Sequence, residues 1–561
     1  LAGAGAVTLN AATSALSVGG DGTSTVFSGM ISGEGGLNKF GAGTLALTAD
    51  NSYQGTTTIT GGTLQVDGGI ADSSVVVGAN GTLSGIGTVG ATTVAGILSG
   101  GNAASPAGTL TIRGDLALQA TATLRTTVTA NGMSRVSVEG DVDIDGSTLK
   151  LAVSAVPLQV GTSYTILSAT GTITGTFGNT LSDYAFLDPT LDQTTQMISL
   201  TLDRNDTTFA SVGATPNQRA TGGAVEQLGA GNAVYDAVLP LEVATARAAF
   251  DNLSGEIHAT ALGTLQAQSE QTRTTLLNRM RNSGWVEGYT PWLTGYGAQS
   301  NFDGDGNAAG GSRNSAGILA GIDRTTEDVR VGLAVGMDKG KISLDDRDSS
   351  ADLQSFILAG YGQWNYEALR VRGGVAMALH ELDVERQIHV STLNGTAKSS
   401  YDGWTAQAFA ELGYVLRFGA SEVEPMAGFA CGRTDLDGFT EDGAGAANLT
   451  SAGGALSGCA TTLGLRASHR FDLDNGLWIK PRVAVAWTHS FSDETPTLGM
   501  AFAGSDTFQI AGIGPSRDAA TVDAGLDFGL VYGASGFVNY AGRFAAGEDS
   551  HAVQLGVHIA Y

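Results

Sequence analysis

From Trp285 to Tyr561 the chain alternates bulky apolar residues with charged or very small ones, and this alternation restricts the fold more than any other feature. A period of two residues indicates β-strands, because successive side chains of a strand point to opposite faces. The clearest runs are 329–337, 369–379, 477–487 and 522–530. One face of each run is apolar and the other carries charge beside glycine or alanine. A water-soluble sheet places its bulk inside, so this pattern favours strands that face lipid.

The segments between these strands alternate between short and long. Twelve strands are expected, near 285–298, 312–325, 328–341, 351–364, 367–383, 401–418, 421–433, 457–470, 476–489, 518–531, 535–545 and 551–561. The long gaps include 384–400, 434–456 and 490–517. Outer-membrane barrels have an even number of strands, with short turns at one end and long loops at the other. Residues 284–561 are therefore predicted to form a twelve-stranded antiparallel transmembrane barrel.

Residues 1–205 are rich in glycine and threonine and repeat the triplet Gly-Thr-Leu. The triplet begins at Gly43, Gly62, Gly81 and Gly108, which gives spacings of 19, 19 and 27 residues. A period near 20 residues is typical of a solenoid, in which each coil buries its apolar face only on its neighbours. We expect a parallel β-helix over residues 1–107 and a less regular closing cap over residues 108–205.

Between these two parts, residues 206–283 show the helical period. Ser254 is a candidate N-cap for a long helix that runs to about Asn282 without proline. Such a helix would be about 42 Å long, at about 1.5 Å per residue. That length exceeds the hydrocarbon layer of about 30 Å, yet the helix is too rich in glutamine and arginine to face lipid. It is long enough to thread a barrel pore.

Charge and composition exclude several classes of protein. The net charge of −25 argues against nucleic-acid binding, which needs a basic face. The first 20 residues lack the basic start of a signal peptide, so we expect a processed or truncated piece of a longer protein. No cofactor or metal is expected. The calcium-loop opening Asp141–Gly146 lacks the required glutamate at its twelfth position, Ala152.

Several strings resemble those of the monomeric autotransporter family of type V secretion. GAGTLALTADNSYQGTTTITGGTLQV, residues 41–66, is similar to the passenger-associated repeat of that family. SPAGTLTIRGDL and the region to Leu202 resemble its autochaperone junction, and NLSGEIHATAL, residues 252–262, resembles its pre-barrel linker. HAVQLGVHIAY, residues 551–561, resembles its terminal strand. The resemblance covers the whole chain, in the same order.

The resemblance implies an outer-membrane translocator that exports its own β-helical passenger and displays it on the bacterial surface. The barrel would lie as a monomer in outer-membrane lipid and lipopolysaccharide, after insertion by the barrel-assembly machinery and periplasmic chaperones. The linker helix would stay in the pore. Family members use the final strand as an assembly signal, which here corresponds to Val553, Leu555, Val557, Ile559 and Tyr561. The same residues are also expected simply to face lipid.

The pore is predicted to match the linker helix in charge. Arg273, Arg279 and Arg281 lie near the C-terminal end of the helix. Four acidic residues have inward parity in the barrel and are their expected partners, because a low-dielectric lumen strengthens such pairs. These four are Glu287, Glu411, Asp523 and Asp527.

The two cysteines, Cys431 and Cys459, have equal outward parity on neighbouring antiparallel strands. Two such side chains face each other across one rung, within reach of a disulfide. The periplasm is oxidising, so we expect a disulfide that closes the 432–458 loop before assembly. The alternative is two unpaired small residues at the outer rim.

No recognised catalytic motif is present, and the chain is predicted not to be an enzyme. Some relatives cut themselves at a linker asparagine inside the pore, and Asn278 and Asn282 are the candidates here. Capping of the helix C-terminus is the expected role of these residues. Arg113, Gly114 and Asp115 could form an adhesion tripeptide for host matrix or cell-surface receptors, although a turn is the expected reading.

Three functional classes therefore stay open for the exported part. It is a displayed passenger, an adhesin that binds host or other cells, or the anchor of an enzyme domain upstream of Leu1. The expected location is the outer membrane for the barrel and the cell surface for the passenger.

Overall fold

A computed structural model describes residues 1–130, 132–152, 160–282, 285–473, 477–491, 495–530 and 534–559. These residues form two compact units. The first comprises Leu1–Thr208 and Asp236–Ala246, and the second comprises Phe209–Tyr235 and the chain from Arg247 onward.

The first unit is a stack of short, mostly parallel strands. Equivalent leucines align from coil to coil, since Leu45 pairs with Leu64 and Leu64 with Leu83. The strands are Val7–Leu9, Ala15–Val18, Thr25–Phe27, Ile31–Gly33, Gly36–Lys39, Thr44–Leu47, Ser52–Tyr53, Thr57–Ile59, Gly62–Val66, Gly69–Ile70, Val75–Val77, Gly81–Gly85, Thr88–Val94, Ile97–Ser99, Thr109–Leu118, Thr123–Thr129, Gly132–Met133, Arg135–Val138, Val142–Asp143, Thr148–Ala152, Ser163–Ala169, Ile173–Thr174, Asn179–Leu181, Leu187–Gln193 and Met197–Arg204. This is the predicted parallel β-helix.

The last coils differ from the rest because their strands turn antiparallel. Ser163–Ala169 pairs antiparallel with Met197–Arg204, which in turn pairs antiparallel with Leu187–Gln193. Leu187–Gln193 is the edge of this sheet and contains Pro189, which cannot donate a ladder hydrogen bond. The proline and the neighbouring acids discourage further strand pairing at this end of the stack.

Five helices follow in the linker region: α1 (Phe209–Val212), α2 (Pro216–Leu228), α3 (Ala233–Val238), α4 (Val243–Leu253) and α5 (Glu256–Asn282). Thr215 and Gln218 form a capping box at the start of α2. Gly255, just before α5, has a φ of +72° and lies against Leu449 and Met500. A side chain there would be strained and would also clash, so this entry to the long helix needs glycine. Among the described residues, no helix is both long and apolar enough to cross a membrane.

Twelve long antiparallel strands form a closed barrel in the second unit. They are β1 (Gly288–Phe302), β2 (Gly311–Thr325), β3 (Val329–Leu344), β4 (Ser349–Tyr366), β5 (Leu369–Val390), β6 (Leu393–Tyr414), β7 (Ser421–Leu436), β8 (Gly454–His469), β9 (Trp478–Ser490), β10 (Asp518–Gly529), β11 (Ala534–Ala545) and β12 (Glu548–Ile559). β1 pairs with β12, which closes the barrel. Leu416–Phe418 and Phe471–Asp472 are short additional strands beside the turns.

The outer face of the barrel is apolar, as the alternation predicts. Leu333 and Leu555, for example, are 66% and 59% exposed. The inner face carries small and polar residues around α5. A band of exposed apolar side chains around a closed barrel is the structure that satisfies every backbone hydrogen bond within lipid.

The connections define two ends, which we call the long-loop end (303–310, 437–453 and 491–517) and the short-turn end (326–328 and 367–368). A four-stranded sheet and a 3-10 helix, Gly445–Ala447, fold within the long loops. The strands of this sheet are Phe439–Thr440, Leu449–Ser451, Thr497–Phe502 and Phe508–Ala511. One predicted loop, 384–400, is wrong. β5 and β6 stay paired through it as far as a two-residue connection. The alternation did not reveal this continuation, because beyond Leu379 the apolar residues of β5 point inward and most of the polar ones outward.

Candidate functional site

Helix α5 lies inside the barrel and packs against one wall. Leu276 and Met280 are buried in one apolar cluster with Trp292, Tyr361 and Phe409 of the barrel. The direction of the helix follows from its contacts. At its start, Ala309 N in the 303–310 loop donates to Glu256 Oε1 at 2.5 Å, whereas its C-terminal turn lies near the ends of strands at the short-turn end. The helix therefore runs from the long-loop end to the short-turn end.

Arg279, near the C-terminal end of the helix, forms a buried ion pair with the barrel wall. Its Nε and Nη2 donate to Asp323 Oδ2 and Oδ1 at 2.8 and 2.9 Å, in the two-pronged geometry that suits guanidinium and carboxylate. Tyr361 also donates to Asp323, at 3.1 Å, and the guanidinium lies over the Trp292 ring. Asp323 was not among the predicted partners.

Arg281 pairs with Glu411, which is one of the predicted partners. Glu411 also accepts from Arg372 Nη1 at 3.0 Å, and Arg372 bridges at 2.6 Å to Glu424. Glu424 accepts in turn from Arg466 at 3.1 Å. The C-terminal turn of α5 thus joins a network of alternating charges on the lumen wall.

The other predicted charge partners are arranged differently. Arg273 lies 3.9 Å from Glu270 of its own helix and donates to Gln407 Oε1 at 3.2 Å. Asp523 and Asp527 line the lumen but both accept from Arg482 on the neighbouring strand β9, at 3.1 Å each. A nearer cation on the wall neutralises them, so they do not need the helix arginines.

Glu287 does not line the pore. Its side chain is exposed, and it precedes β1, which begins at Gly288. The prediction extended the alternation of β1 back to Trp285, three residues before the strand starts. Parity has no meaning outside a strand, and this is the physical reason for the error.

Polar side chains hold the middle of the helix. Gln268 donates to Asp338, which also accepts from the Tyr296 hydroxyl at 2.7 Å. Asn278 donates to Gln554 Oε1 at 3.1 Å, so its amide is held by the barrel wall. The side chain of Asn282 lies outside the described residues. Self-cleavage at either asparagine stays a prediction.

Loops at the long-loop end form hydrogen bonds with the start of the linker. Asn217, in the first turn of α2, donates from Nδ2 to Ala511 O at 2.8 Å and accepts from Ala511 N at 3.0 Å. Its backbone N–H donates to Asn307 Oδ1 at 2.8 Å. Asn217 thus ties α2 to two separate loops.

A buried polar cluster at the same end contains residues that parity reasoning missed. His258 of α5 is fully buried, with Nε2 3.0 Å from Glu441 Oε1 and Nδ1 2.9 Å from the Tyr401 hydroxyl. Arg386 Nε and Nη2 donate to the two oxygens of Glu441, at 2.7 Å each. Glu441 lies in a loop, where alternation gives no signal.

This cluster lies beyond the apolar belt. The outward residues of β5 change from Val375, Met377 and Leu379 to Glu381 and Asp383, all of them exposed. Outside the belt, burial alone would raise the pKa of Glu441. Arg386 and His258 outweigh that effect and hold the pKa of Glu441 well below its ordinary value.

Cys431 and Cys459 face each other across one rung of β7 and β8 and are joined by a disulfide. Their Cα atoms are 4.0 Å apart. Both lie on the outward face, which they share with Phe429 and Leu463. The bond spans the 27-residue segment 432–458 and so closes the loop that carries Glu441.

The final strand has the predicted outward row. Val553, Leu555, Val557 and Ile559 are 40–59% exposed, and β12 pairs with both β11 and β1. Tyr561 lies outside the described residues. An assembly role for this row stays a prediction.

The Arg113-Gly114-Asp115 tripeptide lies within the strand Thr109–Leu118, at a register shift. Arg113 and Asp115 are exposed, but Asp115 Oδ1 accepts from Asp141 N of the next coil at 2.9 Å. Arg113 lies 3.4 Å from Glu139. The two charged side chains are therefore engaged along the stack, and the tripeptide is not a protruding turn.

The geometry defines a class: an outer-membrane barrel of twelve strands with a linker helix inside it and a β-helix on the same chain. Comparison with known families agrees. Residues 291–541 match the model of the Autotransporter beta-domain, and residues 37–66 match that of the Passenger-associated-transport-repeat. The chain belongs to the autotransporter family, and its barrel is an outer-membrane domain with the passenger exposed.

Two curated relatives, both named "Extracellular serine protease" and both from Serratia marcescens, are 29% and 26% identical to this chain. Each alignment covers 95% of this chain, which spans only 56% of the relative. Among solved structures, the translocator domain of autotransporter NalP from Neisseria meningitidis aligns with a TM-score of 0.46 at 14% identity. That alignment covers 54% of this chain and 99% of the other.

The relatives contradict one prediction. We expected no enzymatic activity, because no catalytic motif is present in these 561 residues. The relatives that align over 95% of the chain are named as proteases. The chain spans only 56% of these relatives, so motifs in the rest of their length are not contained in it.

Proposed function

We propose that this chain exports its own N-terminal β-helix and holds it on the bacterial surface. The observation that carries this proposal is the direction of α5 inside a closed barrel. Outer-membrane barrels keep short turns on the periplasmic side and long loops outside. The chain before Glu256 leaves the barrel at the long-loop end, so the segment that precedes it is delivered to the exterior.

The width of the barrel limits how this export proceeds. Eight strands enclose only side chains, and barrels of about 16–18 strands leave an open aqueous channel. Twelve strands here enclose one helix, packed directly against Trp292 and Phe409. A folded β-helix is wider than one helix, so the passenger crosses before it folds. Coils that pair mainly with their neighbours, such as Leu64 with Leu83, are suited to stepwise folding on the outside.

The barrel-assembly machinery and periplasmic chaperones are the partners that this proposal requires. The outward row of β12 and its seam with β1 support a role for the final strand in assembly, because this strand must pair on both sides to close the barrel. Val557→Asp places a charge in the lipid-facing row, whereas Gln554→Ala changes the inward face of the same strand.

The experiment places an epitope ahead of residue 1, behind a secretion signal, and detects it with antibody on intact cells. We expect surface signal for the unaltered chain, loss of that signal for Val557→Asp, and retention for Gln554→Ala. Surface signal from Val557→Asp cells equal to that of the unaltered chain contradicts the assembly role. No surface signal from the unaltered chain contradicts export.

The curated relatives support a more specific proposal, in which the exported part belongs to an extracellular serine protease. Their similarity extends through the β-helix, the linker and the barrel, over 95% of this chain. The test labels cells that express the complete gene with a fluorophosphonate probe for active serines. A labelled, secreted or surface-held product supports the proposal, and the absence of labelled product from cells that display the β-helix contradicts it.

A further inference from the structure

Helix α5 does not fill the lumen. Its apolar side packs on β1 to β7, whereas the opposite wall carries small residues such as Ala484, Ala486, Ala541 and Ala552. Cavities of about 400 and about 160 Å³ lie between the helix and that wall. They share Ala267, Arg313 and Glu548 in their linings, so they meet at this level.

The cavities form a path from the exterior into the lumen. The larger one is bounded by loop residues of the long-loop end, among them Asp303 and Gly514. The smaller one descends along the helix to Arg281 and Asp523. The Glu270 and Asp523 side chains are 30% and 20% exposed, so water reaches both the middle and the lower part of the lumen.

Arginine outnumbers carboxylate along the inner part of this path, by five to four. Arg543 is offset by Glu548 at 2.5 Å and Glu270 at 3.5 Å. Arg313 is different, because among the described residues no carboxylate lies within 4.0 Å of its guanidinium, which donates to the Thr264 carbonyl at 3.2 Å. Within the described part of the chain, the Arg313 guanidinium therefore makes no direct salt bridge where the two cavities meet, and the carboxylates of Glu548, Asp338 and Glu270 act on it only at longer range.

We propose that the helix-filled barrel conducts small inorganic anions along this path, with Arg313 as the residue that sets the preference for anions. Fixed arginines in a narrow, low-dielectric passage raise the local concentration of anions and exclude cations. Without Arg313, the lining of the smaller cavity contains four arginines and four carboxylates, so its charges balance. This activity belongs to the resting barrel and does not depend on whether the passenger is a protease or an adhesin.

The experiment records currents from the full chain in planar bilayers, with a gradient of potassium chloride across the membrane. We expect small currents whose reversal potential is shifted from zero toward the equilibrium potential of chloride. Arg313→Gln should shift that potential toward zero. The matched control is Arg433→Gln, an exposed arginine on the outward face of β7, paired with Asp435. It should leave the reversal potential unchanged.

A second variant shows that ions pass beside the helix and not through barrels that have lost it. Ala267 belongs to α5 and lines both cavities, so Ala267→Trp should reduce the current of the intact chain. The proposal is overturned by cation preference in the unaltered chain, by an Arg313→Gln reversal potential equal to the unaltered one, or by full current through Ala267→Trp. Folding of each variant is checked by its heat-dependent migration in detergent gels.

Discussion

Buried arginines anchor α5 and its loops at two levels of the barrel. At the short-turn end Arg279 binds Asp323 with both partners at most 5% exposed, and at the long-loop end Arg386 binds Glu441 in the same two-pronged way. A buried pair of this kind costs desolvation to form, but removing one partner leaves a charge that nothing compensates. These pairs therefore favour one position of the helix over any other.

Glu441 gives a pH-dependent prediction. Its folded pKa lies below the ordinary glutamate value of about 4.3, so the stability that it contributes is complete above that value and is lost as the pH falls below it. We expect the temperature at which the folded barrel disappears in detergent gels to hold from pH 7 to about 5 and to fall in more acid solution. Glu441→Gln should flatten this dependence.

Arg386, the partner of Glu441, gives a further test, and the exposed Arg433 is its control. Arg386→Met leaves the buried Glu441 carboxylate without its partner and should lower the free energy of unfolding by about 3–5 kcal/mol. Arg433→Met removes an exposed cation and should cost about 1 kcal/mol or less. Equal losses from the two substitutions would contradict the role assigned to the buried pair.

The cysteine pair gives a second prediction at this scale. Denatured but unreduced protein should react with no equivalent of a thiol reagent, and reduced protein with two. Closure of a loop of 27 residues contributes roughly 3 kcal/mol by the chain-entropy estimate. The reduced barrel should therefore unfold at a lower temperature. Two reactive thiols before reduction would contradict the disulfide.

Parity could predict which face a residue occupies but not its neighbours in space. It placed Glu411, Asp523 and Asp527 in the lumen, where the structure has them. It did not select Asp323 as the partner of Arg279, because height and angular position around the barrel depend on strand tilt and register. Neither quantity is visible in a single strand.

At the scale of elements, long regular patterns were predictable and short ones were not. All twelve barrel strands are present, and α5 begins two residues after the expected cap at Ser254. The fourth Gly-Thr-Leu triplet, at Gly108, does not continue the ladder of the first three. Thr109–Leu118 pairs in the other sheet, and Leu98 continues the ladder after Leu83. A three-residue signal does not fix which sheet a strand joins.

Deletion of helix α5 tests its role as a plug of the barrel. Deleting residues 256–282 removes the apolar packing of Leu276 and Met280 and all the lumen contacts of Arg279 and Arg281. The shortened barrel should conduct far more current in planar bilayers than the intact chain. A deletion that conducts no better than the intact chain would contradict the role of the helix as a plug.

On the scale of the whole molecule, the division of labour follows from composition. The coils of the β-helix are rich in threonine, serine and glycine, and the barrel turns its bulky apolar side chains outward to lipid. This division was visible in the alternation and the repeat. The similarity to proteins named as proteases was not visible in these patterns, and those relatives extend well beyond the part that they share with this chain.

The central claim is that the β-helix lies outside the cell, while the short turns of the barrel lie on the periplasmic side of the outer membrane. Single cysteines report this directly in intact cells, with a polyethylene-glycol maleimide too large for porins, since the native pair is bonded. Val76→Cys, on an exposed position of the β-helix, should be labelled, and Glu327→Cys, in a short turn, should be labelled only after the outer membrane is opened. Labelling of Glu327→Cys but not of Val76→Cys in intact cells would contradict the account.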